Sequence, residues 1–346
     1  MKRLVAIVVV IALLGFGTSR AMDWWSFNIN TPISSASQSV AFHVAPGETP
    51  AQIGQDLYTL GLIRSTIAFD LYTRINNVSP KLQAGAFVLN KNMSLAQIVD
   101  ALQHGRSDQK VITFPEGFPL REQARIVETT KIGLAADYLA AAKDPALAST
   151  YTFLPARSGN PDAPFEGYLF PDTYLVDPAA GVRGLVKEQL DQFAVVFSAD
   201  LKAQIEKATP TRPAQTVGSI VILASMVDRE ANTSTDRGNV CSVYYNRLKL
   251  NIPLGVDATL IYALKRLTPE PTAAELTLDT PYNTRLHAGL PPGPISNPGK
   301  AAVLACVNPP QTQYLFYFTD RACVTHFETN QQDFDRDIAK YGTSGS

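Results

Sequence analysis

The sequence predicts an α+β protein, with a small N-terminal module followed by a larger mixed α/β domain built around a buried helix. Three observations predict it. Short strand patterns alternate with helix patterns from residue 41 to about 208. Residues 217–230, VGSIVILASMVDRE, are apolar on every face of a helix until the last turn, as in a helix enclosed by other elements. The chain has 346 residues, 45% hydrophobic and 18% charged, which allows two domains and a sizeable core.

The elements follow in order. Lys2 and Arg3 precede an apolar run from Leu4 to Gly17, and Trp24 and Trp25 follow it. Residues 1–25 therefore read as a single-pass membrane anchor or as a cleaved signal peptide ending near Ala21. Both readings place Trp24 onward outside the cytoplasm. Residues 26–40 are polar with few charges and read as a linker. Residues 41–110 form the small module. A strand and a Pro-Gly turn lead into a helix whose Ile53, Leu57 and Leu60 share a face, with Gly61 as its cap. A second round has Phe87 and Leu89 alternating in a strand. Ser94 then caps a helix carrying Ile98, Val99 and Leu102, and Gly105 closes it.

Residues 111–341 form the larger domain. VITFPEGFPLREQARIVE gives a strand, a turn and a helix. FEGYLFPDTYLV, 165–176, is aromatic with a Pro-Asp turn. One helix is expected over 181–206, and TPTRPAQT breaks the chain before the helix at 217–230. Further helices are expected over 237–250, 257–266 and 299–307. The proline-rich GLPPGPISNPG, 289–299, and an aromatic strand YLFYFTD complete the domain.

Composition excludes several chemistries. The net charge of −1 gives no electrostatic footprint for nucleic acid. The histidines His43, His104, His287 and His326 lie far apart, so no metal site is expected. There is no Gly-rich phosphate loop and no Gly-x-Ser-x-Gly elbow. No cofactor is implied. Cys241, Cys306 and Cys323 permit at most one internal disulfide.

The acids at the end of the buried helix carry the chemical signal. Asp228 and Glu230 are two residues apart, so they point roughly 160° away from each other. They cannot grip one bond together. Apolar surroundings and the negative end of the helix dipole both favour a protonated carboxyl there, which is what a general acid requires. Pairing of either acid with Arg229 or Arg237 is the plain structural alternative. Helix geometry and burial alone do not distinguish the two acids.

From FPEGFPLREQARIV onward the chain resembles the YceG-like family, the endolytic murein transglycosylases called MltG. The resemblance rests on FEGYLFPDTY (165–174), LASMVDREA (223–231), VYYNRLKLNIPLGVDATLIYAL (243–264), TPYNT (280–284), GLPPGPISNPG (289–299) and NPPQTQYLFYF (308–318). It implies a membrane-anchored protein of the cell inner membrane facing the periplasm. It also implies a LysM-like module over 41–110 and a lytic transglycosylase domain over 111–341 with a buried catalytic helix. The implied partners are peptidoglycan glycan strands, the membrane and the cell-wall synthesis machinery, with no nucleic acid. The implied reaction cleaves the MurNAc–GlcNAc β-1,4 bond of nascent strands, leaves a 1,6-anhydroMurNAc end and terminates elongation.

The family's helix resembles Ser-Ile-Val-Glu-Lys/Arg-Glu-Ala/Thr. Its second glutamate falls on Glu230, which the resemblance makes the catalytic acid. Its first falls on Asp228, one methylene short, which assigns Asp228 to structure. Where the family commonly has Leu-Gln-Ser-Asp-Pro-Thr, this chain has Leu254, Gly255, Val256, Asp257, Ala258 and Thr259. Thr325 takes a family histidine position, and His326 sits one residue later with no catalytic role expected. Glu166, Tyr168, Asn246, Asp257, Thr259, Tyr282 and Asn283 are the expected sugar-binding groups. Two alternatives stand beside this reading. One is a muramidase using water, with Asp257 or Glu166 as base. The other is a non-catalytic peptidoglycan-binding scaffold.

Overall fold

The structure, a computed structural model, describes residues 20–104, 109–155, 160–208, 216–231 and 233–343. In chain order its elements begin with β1 (Ser39–Val44), α1 (Pro50–Thr59), α2 (Thr66–Ile75), β2 (Gly85–Asn90), α3 (Leu95–Leu102) and β3 (Lys110–Thr113). Next come α4 (Leu120–Thr129), α5 (Ala135–Ala141), α6 (Pro145–Ala148), β4 (Thr173–Val176), α7 (Gly181–Val196) and α8 (Ala199–Ala208). The chain ends with α9 (Val217–Glu230), α10 (Ser234–Lys249), α11 (Asp257–Ala263), α12 (Lys300–Val307), β5 (Phe316–Thr319), β6 (Thr325–Glu328) and α13 (Gln331–Tyr341). The expected mixture of helices and small sheets is present.

Two compact units divide the described residues. The first runs to residue 112 and also takes 173–179; the second takes 113–172 and 180 onward. The division therefore crosses the stretch read as one domain from 111. Strand β4 pairs with β3, which carries residues 173–176 back to the first unit.

In the first unit β1 and β2 are antiparallel, with Phe42 opposite Phe87. Both side chains enter one core with Ile53, Leu57, Phe69, Leu89, Ile98 and Leu102. Reciprocal capping boxes start two of the helices, Thr49 with Gln52 at α1 and Ser94 with Gln97 at α3. Leu60 departs from the expected stripe. Helix α1 ends at Thr59, so Leu60 is its C-cap and is 42% exposed. Gly61 follows at φ +65°, where a side chain would be strained. Gly105 lies outside the described residues.

Residues 20–30 are helical, so part of the stretch read as linker is ordered secondary structure. Trp25 and Ile29, one turn apart, explain this. Ile29 is buried in the core, and the Trp25 ring lies 6.3 Å from that of Tyr72. Arg64 donates to the carbonyls of Thr31 and Pro32 and so ties down the end of this helix. Among the described residues no helix is long and apolar enough to cross a membrane. The Leu4–Gly17 run lies outside them.

The second unit is organised around α9. Thr216 and Ser219 form its capping box, and Ile220, Val221 and the stretch from Leu223 to Val227 are buried. Helices α10 and α12 pack on it. A disulfide between Cys241 and Cys306 joins those two helices, with the Cα atoms 5.4 Å apart. The helix expected over 181–206 is two helices. It breaks after Val196, where Phe197 leaves helical geometry and stacks on Phe193 at 4.3 Å inside the core.

The proline loop 289–299 is bound to the middle of α9. Ser225 Oγ accepts from the Ile295 amide at 3.1 Å, and Ser296 Oγ donates to the Ser225 carbonyl at 3.0 Å. Gly167, at φ +86°, passes so close that a Cβ would lie 2.5 Å from Pro294 and 2.7 Å from Val221. Only glycine fits there.

Candidate active site

The two acids of α9 face different partners, as their helical spacing requires. Asp228 turns toward α12. Its Oδ2 accepts from the Gly299 amide at 2.7 Å, at the N-terminus of that helix, and Arg237 Nε lies 3.4 Å from its Oδ1. The Asp228 side chain is 2% exposed. Burial raises its pKa, against the Gly299 amide and the Arg237 charge, which lower it. Glu116, from the Pro-Glu-Gly turn, packs on Gly299 so closely that any Cβ there would collide with its carboxyl. Burial and then the neighbouring Asp228 raise the pKa of Glu116. This cluster joins α9, α10 and α12.

Glu230, the last residue of α9, is half-buried. Ala231 follows in extended conformation and ends the helix. Tyr317 of β5 donates to Glu230 Oε2 at 3.0 Å, and the Tyr244 hydroxyl of α10 lies 3.0 Å behind that of Tyr317. The Ala258 backbone amide of α11 also reaches the carboxyl. Burial raises the Glu230 pKa to about 7, with Asp257 and Glu270 adding to the rise. Tyr317 and the Ala258 amide oppose it. Burial also holds the hydroxyls of Tyr244 and Tyr317 well above their ordinary range, so both remain proton donors.

Glu166 has a pKa raised to about 7 by the same cause, burial. Its surroundings are closed. The residue is 3% exposed, and three donors converge on it. The Leu120 amide at the start of α4 and Asn297 Nδ2 reach Oε1 at 2.9 and 3.1 Å, and the Tyr262 hydroxyl reaches Oε2 at 3.2 Å. Asn297 uses its whole side chain here. Its Oδ1 accepts from the amides of Gly167 and Leu169, and its Nδ2 also donates to the Phe118 carbonyl. The proline loop thus delivers one side chain that stitches 118, 166–169 and 297 together.

The other expected sugar-binding residues fall into three groups. Tyr168, Thr259 and Asn283 are buried. The Tyr168 ring packs against Phe153 and Phe193. Thr259 Oγ1 donates to the Val256 carbonyl and meets Thr284 Oγ1 at 3.1 Å. Asn283 Nδ2 donates to the carbonyls of Leu276 and Leu278. Asn246 is half-buried and donates to the carbonyls of Thr312 and Tyr314, just ahead of β5. Asp257 and Tyr282 differ from these. Asp257, at the first turn of α11, is partly exposed, acts electrostatically on Glu230, and is paired with Arg285 at 2.7 Å. The Tyr282 hydroxyl is buried and has no hydrogen-bond partner among the described residues.

Sequence reasoning missed Tyr317, Tyr244 and Asn297. Strand alternation carried a partial signal for Tyr317, since it faces opposite to Phe316 and Phe318. Nothing local connects it to a residue 87 positions earlier. His326, given no catalytic role, lies 2.9 Å from Asp320 and stacks between Phe318 and Tyr341.

Comparison with known proteins gives these features a family. The model of the YceG-like family matches residues 42–340. A Bacillus subtilis protein named endolytic murein transglycosylase is 28% identical over 333 residues, covering 90% of this chain and 88% of the relative. A Streptococcus pneumoniae protein of the same name is 27% identical over 365 residues. The alignment takes in 98% of this chain but only 65% of the pneumococcal protein, so the chain spans about two thirds of that relative. A crystal structure of a YceG-like protein from Listeria monocytogenes superimposes with a TM-score of 0.59 at 27% identity, covering 87% of this chain and 99% of that one. With its model matched from the first strand almost to the end of the last helix, the chain belongs to the YceG-like family.

Proposed function

We propose that this protein is an endolytic lytic transglycosylase of peptidoglycan, with Glu230 as its acid and base. One observation carries the reading. Glu230 is a half-buried carboxyl with a pKa raised to about 7 at the end of α9, the position to which the resemblance assigns the family's catalytic glutamate. Such a group is protonated in a useful fraction at neutral pH and can give up the proton. The relatives' shared name, endolytic murein transglycosylase, supports the substrate class.

The chemistry balances without water. The protonated Glu230 carboxyl donates its proton to the glycosidic oxygen as the bond from C1 of MurNAc breaks, which releases the GlcNAc hydroxyl. The resulting carboxylate takes the proton from the C6 hydroxyl, whose oxygen bonds to C1 and closes the 1,6-anhydro ring. The carboxyl ends protonated, as it began. Intramolecular closure supplies the nucleophile, so no second carboxylate is required.

Of the expected residues Asp257 is the most favourable for sugar contact, since it is partly exposed and acts electrostatically on Glu230, whereas the Tyr282 hydroxyl is buried. Glu166, Tyr168, Thr259, Asn283 and Asn246 act as frame in this reading, since protein groups occupy them. The first unit serves as a LysM-like glycan-binding module. Its strand–helix–helix–strand order and antiparallel β1/β2 pair support that reading. The apolar run Leu4–Gly17 holds the protein at the inner membrane or, as a signal peptide, directs its export, with the catalytic domain in the periplasm beside nascent strands and their synthesis machinery. The Cys241–Cys306 disulfide supports an oxidising compartment.

Mass analysis of products from purified glycan strands tests the reaction. Ends lighter by one water are expected. Hydrolysed ends would instead assign the protein as a muramidase, with Asp257 or Glu166 as base. Absence of any cleavage by folded protein would favour the scaffold.

A further inference from the structure

We propose that Tyr317, backed by Tyr244, is a positioning residue that fixes which oxygen of Glu230 carries the reactive proton. The proposal rests on Glu230 being the acid. Its basis is a directed chain of hydroxyls. A tyrosine has one proton to give. Tyr317 gives its proton to Glu230 Oε2 at 3.0 Å. The 3.0 Å contact between the two hydroxyls must then be donated by Tyr244. Both protons thus point toward the carboxyl. Tyr317 occupies Oε2 as an acceptor, so in this proposal the acid proton resides on Oε1, with the Ala258 amide as the other protein donor at the carboxyl. After proton transfer the same two hydroxyls stabilise the carboxylate, because hydrogen bonds to an ionised acceptor are the stronger kind.

The frame around Tyr317 is built to hold it. Asn246 and Arg247 of α10, adjacent in sequence, grip the backbone leading into β5. Asn246 donates to the carbonyls of Thr312 and Tyr314, and Arg247 Nε donates to the Leu315 carbonyl at 2.6 Å. Arg247 Nη1 also donates to the carbonyls of Pro253 and Leu254, so the same side chain ties β5 to the approach to α11. Ser242 Oγ meets Thr312 Oγ1 at 2.8 Å. Tyr244 lies on the same helix, between these anchors. The stretch Ser242–Arg247 therefore both supplies the second hydroxyl and sets the position of the first.

The groups facing Glu230 define the expected pH behaviour. Tyr317 faces it from β5 with Tyr244 behind, Asp257 from α11, and Glu270 from the segment beyond. Arg229 is its neighbour on α9 and donates instead to the Leu267 carbonyl. Asp257 and Glu270 hold the proton on, while Tyr317 favours its release. Removing the Tyr317 hydroxyl therefore moves the Glu230 titration to higher pH.

The test compares Tyr317→Phe, Tyr244→Phe and Glu230→Gln with wild type on glycan strands across pH. Tyr317→Phe keeps the ring and is expected to lower kcat about tenfold, the size of one lost hydrogen bond to a charged group. Its basic limb should move up by about one pH unit. Tyr244→Phe should shift the limb in the same direction by less. Isotope-edited infrared titration of the Glu230 carboxyl gives a readout independent of turnover and should show the same order. If Tyr317→Phe does not fold, the Tyr244→Phe shift alone decides. An unmoved limb and carboxyl titration in the folded variants would overturn the proposal and leave Glu230 as acid. An active Glu230→Gln would instead remove the reading on which the proposal rests.

Discussion

Glu230 and Glu166 sit in the same domain, both raised to about 7 by burial, yet their surroundings differ in kind. Glu166 is 3% exposed, and the Leu120 amide, Asn297 and Tyr262 satisfy it from three segments. Glu230 is half-buried at a helix end, met at Oε2 by the Tyr317 hydroxyl and also by the Ala258 amide. A raised pKa therefore does not identify the acid. What separates the two carboxyls is exposure, since Glu166 is buried and Glu230 is half-buried. A carboxyl whose acceptors are all engaged by protein donors is a structural joint, whatever its pKa.

Four substitutions can break or sharpen that contrast. Glu230→Gln should give the largest effect, a loss of roughly a thousandfold in cleavage rate, within the range a positioned proton donor supplies. Its melting temperature should stay at or above that of wild type, since a buried ionisable group has gone. Glu166→Gln should act on stability instead. The folded pKa, about 7, lies above the ordinary 4.5. The favourable contribution is thus complete below 4.5 and lost as pH rises to 7. Urea unfolding at pH 4 and pH 8 should show the variant gaining up to about 3 kcal/mol on wild type between the two. An unchanged gap would mean that Glu166 is not buried as a carboxylic acid.

Asp228→Ala comes next. It removes the acceptor at the start of α12 and leaves Arg237 without its partner. Because Arg237 is 21% exposed, the cost is set below that of a fully buried pair, at about 2 kcal/mol of unfolding free energy. Residual cleavage should track the folded fraction. Loss of activity in fully folded Asp228→Ala would return Asp228 to the chemistry. Tyr262→Phe should be smallest, about 1 kcal/mol, from loss of one donor to Glu166. Cleavage should be retained.

Much of this arrangement was legible in the sequence. Helix α9 followed from its apolar faces, and the divergence of Asp228 and Glu230 followed from residue spacing alone. Ser94 as a cap and the strand–turn–helix at 111–128 followed from local chemistry. What was not legible is long-range. Asn297 looked like one polar residue in a stiff proline loop, yet it makes four bonds to distant backbone and side-chain atoms. Asn246 and Thr259 carry the residue types of a sugar site, but the carbonyls of Thr312 and Tyr314 claimed the first, and the Val256 carbonyl with the Thr284 hydroxyl claimed the second. Strand β4 looked continuous with its neighbours in sequence and pairs with β3 in the first unit. Leu60 matched the periodicity of α1, but the helix stopped before reaching it. In each case local pattern fixed the residue's conformation, and packing decided its partner.

The contrast between the two carboxyls is tested most directly by measuring initial rates of anhydro-product formation for Glu230→Gln and Glu166→Gln side by side at neutral pH, with folding matched by circular dichroism. Background rate in Glu230→Gln, with Glu166→Gln within about tenfold of wild type, is the expected result. The reverse order would contradict it and place the proton donor at Glu166.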